Sequence, residues 1–460
     1  MGVRLTAEPP YSREVTMSLS YDKRGLSGKK LYIAAAAWIV LVIVGSLCTW
    51  YGFGPGSREV QPTVAHTPST EMAAVVMATA TPLPPTPTPD DPQPIVEAEP
   101  VEETFGYGIA INGVGGGDID YWTGQVYSLG LGWIKQQVQW GIFESNPGQM
   151  DWSGYDAVVE SANSKGLKVM LSVVDAPNWT RSYIDDNPEG APPDDLALTA
   201  DFLGRLVDRY QGRVHAIEVW NEQNLDREWD TAEGVNAEQY VKMLQLSYQA
   251  IKSRDPNIIV ISGALSPVGA TATDPANPNR YIYMDDFEYF DRMIEAGMLN
   301  YCDCVGAHHN GINLPPNVAW DEGYDNPDAQ FRGPFDNPDH SWSFKSTLWG
   351  YHERIQAAGS DTPLCVTEFG WATAEGFDSY PPGFEFALDN TLEDQARWNV
   401  EAFHLMREWG FVRLAFLWNL NYSQLGWGPE DPNAPYGLID MQGAPRPAFH
   451  AIQEMEKPQP

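Results

Sequence analysis

The sequence is poor in cysteine, in basic residues and in histidine: 460 residues hold 4 Cys, 28 Lys plus Arg against 62 Asp plus Glu, and 8 His. So few cysteines cannot build a fold of this length from disulfides. Cys48 falls in an apolar N-terminal run, which leaves Cys302, Cys304 and Cys365, a set that cannot pair completely. Either Cys304 or Cys302 bridges to Cys365, or all of them stay buried thiols. No Cys/His spacing fits a zinc site. The acidic stretches 185–195 and 321–328 lack the EF-hand ligand pattern, so neither a metal nor a cofactor is expected. The formal net charge of −34 excludes a nucleic-acid partner, because phosphate binding needs a basic surface. The acidity reads instead as solubility and mutual repulsion.

Long hydrophobic runs are scarce too. A single one, 31–53, carries no charge and follows a polar leader, 1–30, that ends in Lys29 and Lys30. A run of about 20 apolar residues can cross a bilayer as a helix, and its basic flank belongs on the cytoplasmic side. The long leader and the lack of a small-x-small site favour an uncleaved single-pass anchor over a signal peptide. Leu47, just before Cys48, argues against a lipoprotein site. Residues 54–104 are rich in Pro and Thr, with TATPLPPTPTPDDPQP at 79–94, and read as an extended, disordered linker. This arrangement expects a cytoplasmic tail, a membrane helix, a spacer and an extracytoplasmic domain at 105–457.

That domain has ample apolar material: 43% of the chain is hydrophobic, with 17 Trp, 21 Tyr and 17 Phe. From Phe105 onward β-rich runs alternate with amphipathic helical ones. The strands are expected at 105–112, 133–140, 167–174, 214–220, 258–265, 304–309, 363–368 and 412–418. Helices are expected at 195–210, 237–253, 285–296, 344–357, 393–408 and 448–455. Repeated βα units of this number favour an α/β fold closed into a (β/α)8 TIM barrel. The open doubly wound alternative lacks its signature, since no G-x-G-x-x-G follows the first strand and VGGGD at 114–118 reads as a turn.

In such a barrel the C-terminal strand ends gather at one mouth. The fourth ends Ile217-Glu218-Val219-Trp220-Asn221-Glu222, and the seventh continues Cys365-Val366-Thr367-Glu368-Phe369-Gly370-Trp371. Two carboxyl groups about 5–5.5 Å apart across a mouth suit a retaining glycosidase. Glu368 is then the nucleophile. Glu222, kept protonated by the nearby negative charge and Trp-rich surroundings, is the acid and later the base. Asn221 is placed to bond the sugar 2-hydroxyl. Asp175, past the third strand, reads as a sugar-hydroxyl ligand or a turn acid. Trp140, Trp179, Trp229 and Trp371 read either as subsite walls or as packing.

WNEQN around Glu222 and VTEFGW around Glu368 resemble the acid/base and nucleophile motifs of glycoside hydrolase clan A, most like family 39. DWSGYD at 151–156, CVGAHHNG at 304–311, FLWNLN at 416–421 and the later YGLID and PRPAF extend the resemblance over nearly the whole domain. The resemblance implies a β-linked oligo- or polysaccharide substrate, His308 beside the reacting sugar and Trp418 as the floor of its subsite. Two positions depart from the family pattern. Asn310 stands where relatives commonly carry a Tyr that bonds the nucleophile, and Lys135 where an Arg is common. The competing reading is a carbohydrate-binding pseudoenzyme of the cell envelope, against which both glutamates speak. The catalytic domain is expected to be monomeric.

Overall fold

A computed structural model describes residues 105–457 except residue 116 and residues 184–189. The expected tail 1–30, membrane helix 31–53 and linker 54–104 lie outside the described residues. Among those described, no helix is long and apolar enough to cross a membrane.

The domain contains β1 (Gly106–Ala110), β2 (Trp133–Gln139), β3 (Lys168–Val174), β4 (Ala216–Val219), β5 (Ile259–Ser262), β6 (Val305–Gly311), β7 (Leu364–Trp371) and β8 (Val412–Leu417). All neighbours run parallel, in the order β5-β4-β3-β2-β1-β8-β7-β6. The ring meets between β5 and β6 through a single bridge, Ile261 to Cys304, where Ser262 N donates to Cys304 O at 3.1 Å. Glycine is needed beside this seam. A Cβ on Gly306 would sit 2.0 Å from Ser262 O, so any other residue would force the strands apart.

A helix follows each strand: α1 (Ile119–Ser128), α2 (Ser153–Ser164), α3 (Ala197–Tyr210), α4 (Ala237–Lys252), α5 (Asp286–Glu295), α6 (Phe344–Ala357), α7 (Leu392–Trp409) and α8 (Pro447–Glu454). α3 shows why these pack outward on the sheet. Phe202, Leu203, Leu206, Val207 and Tyr210 recur at helical spacing and are all buried. α7 begins with a reciprocal Thr391/Asp394 capping box and ends at Gly410 in the left-handed region. The structure adds a polar hairpin, Ala272–Asp274 with Asn277–Tyr283, between β5 and α5.

Strand alternation divides the barrel interior into layers. Trp133, Met170, Ala216, Ile261, Cys304, Cys365, Leu414 and Phe416 form one apolar cluster. Within it Cys304 and Cys365 are disulfide-bonded with Cα atoms 5.7 Å apart, while Cys302 is a buried free thiol. This selects one of the pairings that the sequence left open. Two residues further along the same strand faces stand Lys135, Glu218 and Trp418, nearer the mouth.

Candidate active site

Glu222 lies beyond the end of β4, on a sharply turned segment. Trp220 and Glu222 both have left-handed backbones, with φ of 76° and 43°. Such residues cost about 1–3 kcal/mol each and persist only where the surroundings hold them. Here Glu222 N donates to Ala264 O at 2.8 Å, and Gln223 Nε2 donates to Gly263 O at 2.7 Å. Asn224 Nδ2 bonds the carbonyls of Ser266 and Met284 at 2.8 and 3.0 Å, and Trp220 Nε1 bonds Glu228 O at 2.8 Å. The WNEQN motif is thus a rigid platform fastened to the next βα loop.

β7 supplies its residues through a bulge. Its register against β6 slips between Ala307, opposite Val366, and His308, opposite Glu368. A bulge lets two consecutive side chains serve one face. Accordingly Thr367 Oγ1 bonds Glu218 at 2.6 Å while Glu368 Oε1 receives Lys135 Nζ at 2.9 Å.

The titratable groups form one row across the mouth in which carboxyl groups alternate with basic side chains. Lys135 Nζ is also 3.4 Å from Glu218 Oε2. His308 Nε2 lies 3.8 Å from Glu368 Oε1, and its Nδ1 lies 3.2 Å from Glu222 Oε1. Arg227 Nη2 pairs with Glu222 Oε2, and its Nη1 is 3.6 Å from Glu228 Oε1. One imidazole therefore touches both predicted catalytic glutamates. All of these side chains are nine-tenths or more buried, apart from Glu222 at 11% exposed.

Burial alone would push the Glu222 carboxyl up, but Arg227 and then His308 outweigh it and hold the carboxyl below its ordinary value. The expectation that Glu222 is kept protonated is corrected by this pairing. The negative neighbour and the tryptophans are visible in the sequence, whereas the guanidinium five residues on takes effect only through the fold. Burial would lower His308, yet Glu368 and the contact with Glu222 raise it. Lys135 is likewise raised by Glu218 and Glu368 against its burial.

The cellulase (glycosyl hydrolase family 5) family model matches residues 122–285, a stretch that contains Glu222. Among solved structures, a family 39 glycoside hydrolase from the gut symbiont Bacteroides cellulosilyticus WH2 shares the fold at 17% identity and a TM-score of 0.53. That match covers 76% of this chain and 63% of the other. The β-glycosidase BGL167 is similar at 16% identity and a TM-score of 0.50, over 78% of this chain and 99% of the other. No curated protein matches by sequence. The likeness to these solved structures shows a shared (β/α)8 barrel fold.

Within this barrel the other predicted residues separate into mouth and core. Asn221, 5% exposed, has an Oδ1 with no hydrogen-bond partner among the described residues. Trp418 is buried in a small cluster with Tyr422 and Tyr436, and Lys135 Nζ lies 5.8 Å from its ring centre. Asn310 Nδ2 reaches Glu368 Oε2 at 3.4 Å, so the bond that an absent Tyr would leave unmade has a substitute. Asp175 lies just past β3 with a left-handed φ of 56°, and burial pushes its carboxyl up to about 6 against the pull of Arg181.

Trp140 and Trp371 are not in the mouth, which corrects their expected role in substrate binding. Trp140 is fully buried, stacks on Phe202 at 4.9 Å and donates to Glu144. Trp371 packs between Phe344 and Trp398 and donates to Leu314 O at 2.8 Å. Trp229 is core as well, packed on Trp220, whereas Trp179 is 37% exposed. Glu218, Thr367, Arg227 and Glu228 join the site without having been expected there. Glu218 had one usable signal, a lone acid inside the apolar run AIEVW.

Proposed function

We propose that this protein is a retaining β-glycoside hydrolase that cleaves β-linked oligo- or polysaccharide by double displacement. The observation that carries this reading is the convergence of Glu222 and Glu368, from different barrel strands, on the imidazole of His308. In the first step Glu368 attacks the anomeric carbon while Glu222 gives a proton to the departing glycosidic oxygen. In the second, Glu222 takes a proton from water, and the resulting oxygen nucleophile releases the sugar from Glu368.

The neighbours have matching tasks. Lys135 and Asn310 orient the Glu368 carboxylate from its two oxygens. The free Oδ1 of Asn221 is suited to a sugar hydroxyl, as is the carboxyl of Asp175. Trp418 offers a ring face for an apolar sugar face. The segment 311–342, between β6 and α6, shapes the approach to the cleft.

The domain works outside the cytoplasm in this proposal, held by an uncleaved helix at 31–53 and spaced from the membrane by 54–104. The Cys304–Cys365 disulfide supports such a placement, because disulfides persist in oxidising compartments. Display on a stalk suits a polymer better than a small disaccharide. Hydrolysis of a panel of aryl β-glycosides and polysaccharides by the full chain tests the activity. Turnover is expected, with loss in both Glu222→Ala and Glu368→Ala; full activity in either variant contradicts the assignment.

A further inference from the structure

Both oxygens of Glu222 are engaged: Oε1 with His308 Nδ1 at 3.2 Å, and Oε2 with Arg227 Nη2. A guanidinium only donates and keeps its protons at any relevant pH. While Arg227 holds Oε2, its fixed positive charge and its hydrogen bond favour the carboxylate over the protonated form that an acid catalyst must reach. A proton on Oε1 would face the imidazole instead of a glycosidic oxygen. Withdrawal of Arg227 therefore makes protonation of Glu222, and with it acid catalysis, easier.

A destination for Arg227 is already in place. Glu228 Oε1 lies 3.6 Å from its Nη1, both side chains are 7% exposed, and the pair sits on the segment fastened by the Trp220 bond to Glu228 O. An anionic substituent on the glycan is the other conceivable acceptor. A protein of net charge −34 repels an acidic polymer at long range, which favours the internal partner.

We propose that Arg227 is a displaceable latch on Glu222: it pairs with Glu222 before substrate binds, and it passes to Glu228 when a glycan enters the leaving-group side. Glu222 then takes up a proton from solvent and gives it to the leaving oxygen, while Arg227 stays a guanidinium throughout. Once Glu222 is a carboxylate again, renewed pairing favours the form that the second step requires. Arg227 is a positioning residue here, acting through Glu222, and the inference rests on the reading of Glu222 as the acid/base.

Opposite shifts in two variants of the full chain test it. Infrared difference titration against Glu222→Gln reads the protonation of Glu222, which is also acted on by His308 and Lys135. Arg227→Gln is expected to raise the midpoint by about one pH unit or more, and Glu228→Gln, which removes the destination, to lower it. The basic limb of kcat/KM for phenyl β-glycosides should move in the same directions. Discrimination in favour of 2,4-dinitrophenyl over phenyl leaving groups should shrink in Arg227→Gln and grow in Glu228→Gln. Midpoints that stay put, or that move together, overturn the latch; an immobile ion pair would shift the midpoints by its charge alone but leave the leaving-group discrimination below both midpoints unchanged, and that result overturns the latch as well. Failure of the underlying reading is separate. It would show as a Glu222→Ala variant that slows phenyl and dinitrophenyl glycosides equally.

Discussion

Lys135 Nζ lies 2.9 Å from Glu368 Oε1 and 3.4 Å from Glu218, so one buried ammonium from β2 serves carboxylates from β7 and β4. The ion is 1% exposed, and desolvation on this scale is tolerable only because both partners are close.

Lys135→Met removes the cation and leaves two buried carboxylates facing each other's field. Uncompensated buried charge costs about 3–5 kcal/mol. A misplaced nucleophile is expected to lower kcat/KM by roughly 100-fold. Lys135→Arg keeps the charge and should lose less of both. Urea midpoints and kcat/KM check this, and a Met variant as stable and active as the parent contradicts it.

Asp175 links stability to pH. Its carboxyl is raised from 3.8 to about 6, chiefly by burial, so the folded state favours the protonated form. The stabilisation is fully present below the unfolded value and is lost as pH rises through the folded one. That displacement corresponds to roughly 3 kcal/mol. Asp175→Asn keeps the shape, tolerates the left-handed backbone and does not titrate. The variant should be about 1–3 kcal/mol more stable than the parent at pH 8, with the difference vanishing near pH 3, and less active on glycans. Denaturant titrations at the two pH values decide; equal stability at pH 8 contradicts the account.

The Cys304–Cys365 bond closes a loop with a sequence separation of 61. Constraint of the unfolded chain by a loop of this size is worth about 4 kcal/mol in the entropic treatment. Cys304→Ala with Cys365→Ala should therefore lower unfolding stability by about 2–4 kcal/mol, read from guanidinium midpoints with the slope unchanged. A change below 1 kcal/mol would show that apolar packing in the lower barrel carries this region alone.

Much of the fold was legible because strand alternation and βα spacing are local signals. Each expected strand exists, with ends displaced where tertiary geometry intervenes. β4 stops at Val219, since Trp220 turns left-handed, and β7 runs past Glu368 to Trp371. α1 and α2, absent from the expected helices, mix small and polar residues with their apolar positions. The hairpin at 272–283 was invisible because its strands are short and not buried and Pro275 and Pro278 interrupt it. At the site, Glu222 and Glu368 stood out by their motifs. Arg227 could not, because its effect on Glu222 depends on how a turned segment folds back, not on a repeating pattern. Trp140 and Trp371 misled because an aromatic near a strand end serves the core as readily as the mouth.

The most direct test of the double displacement is the anomeric configuration of the first-formed product. Proton NMR can follow hydrolysis of an aryl β-glycoside by the full chain within the first minutes, before mutarotation. Glu222 and Glu368 meeting at His308 predict that the β anomer appears first and the α anomer only later. Initial release of the α anomer would mean a single inverting displacement and would contradict the roles assigned to both glutamates.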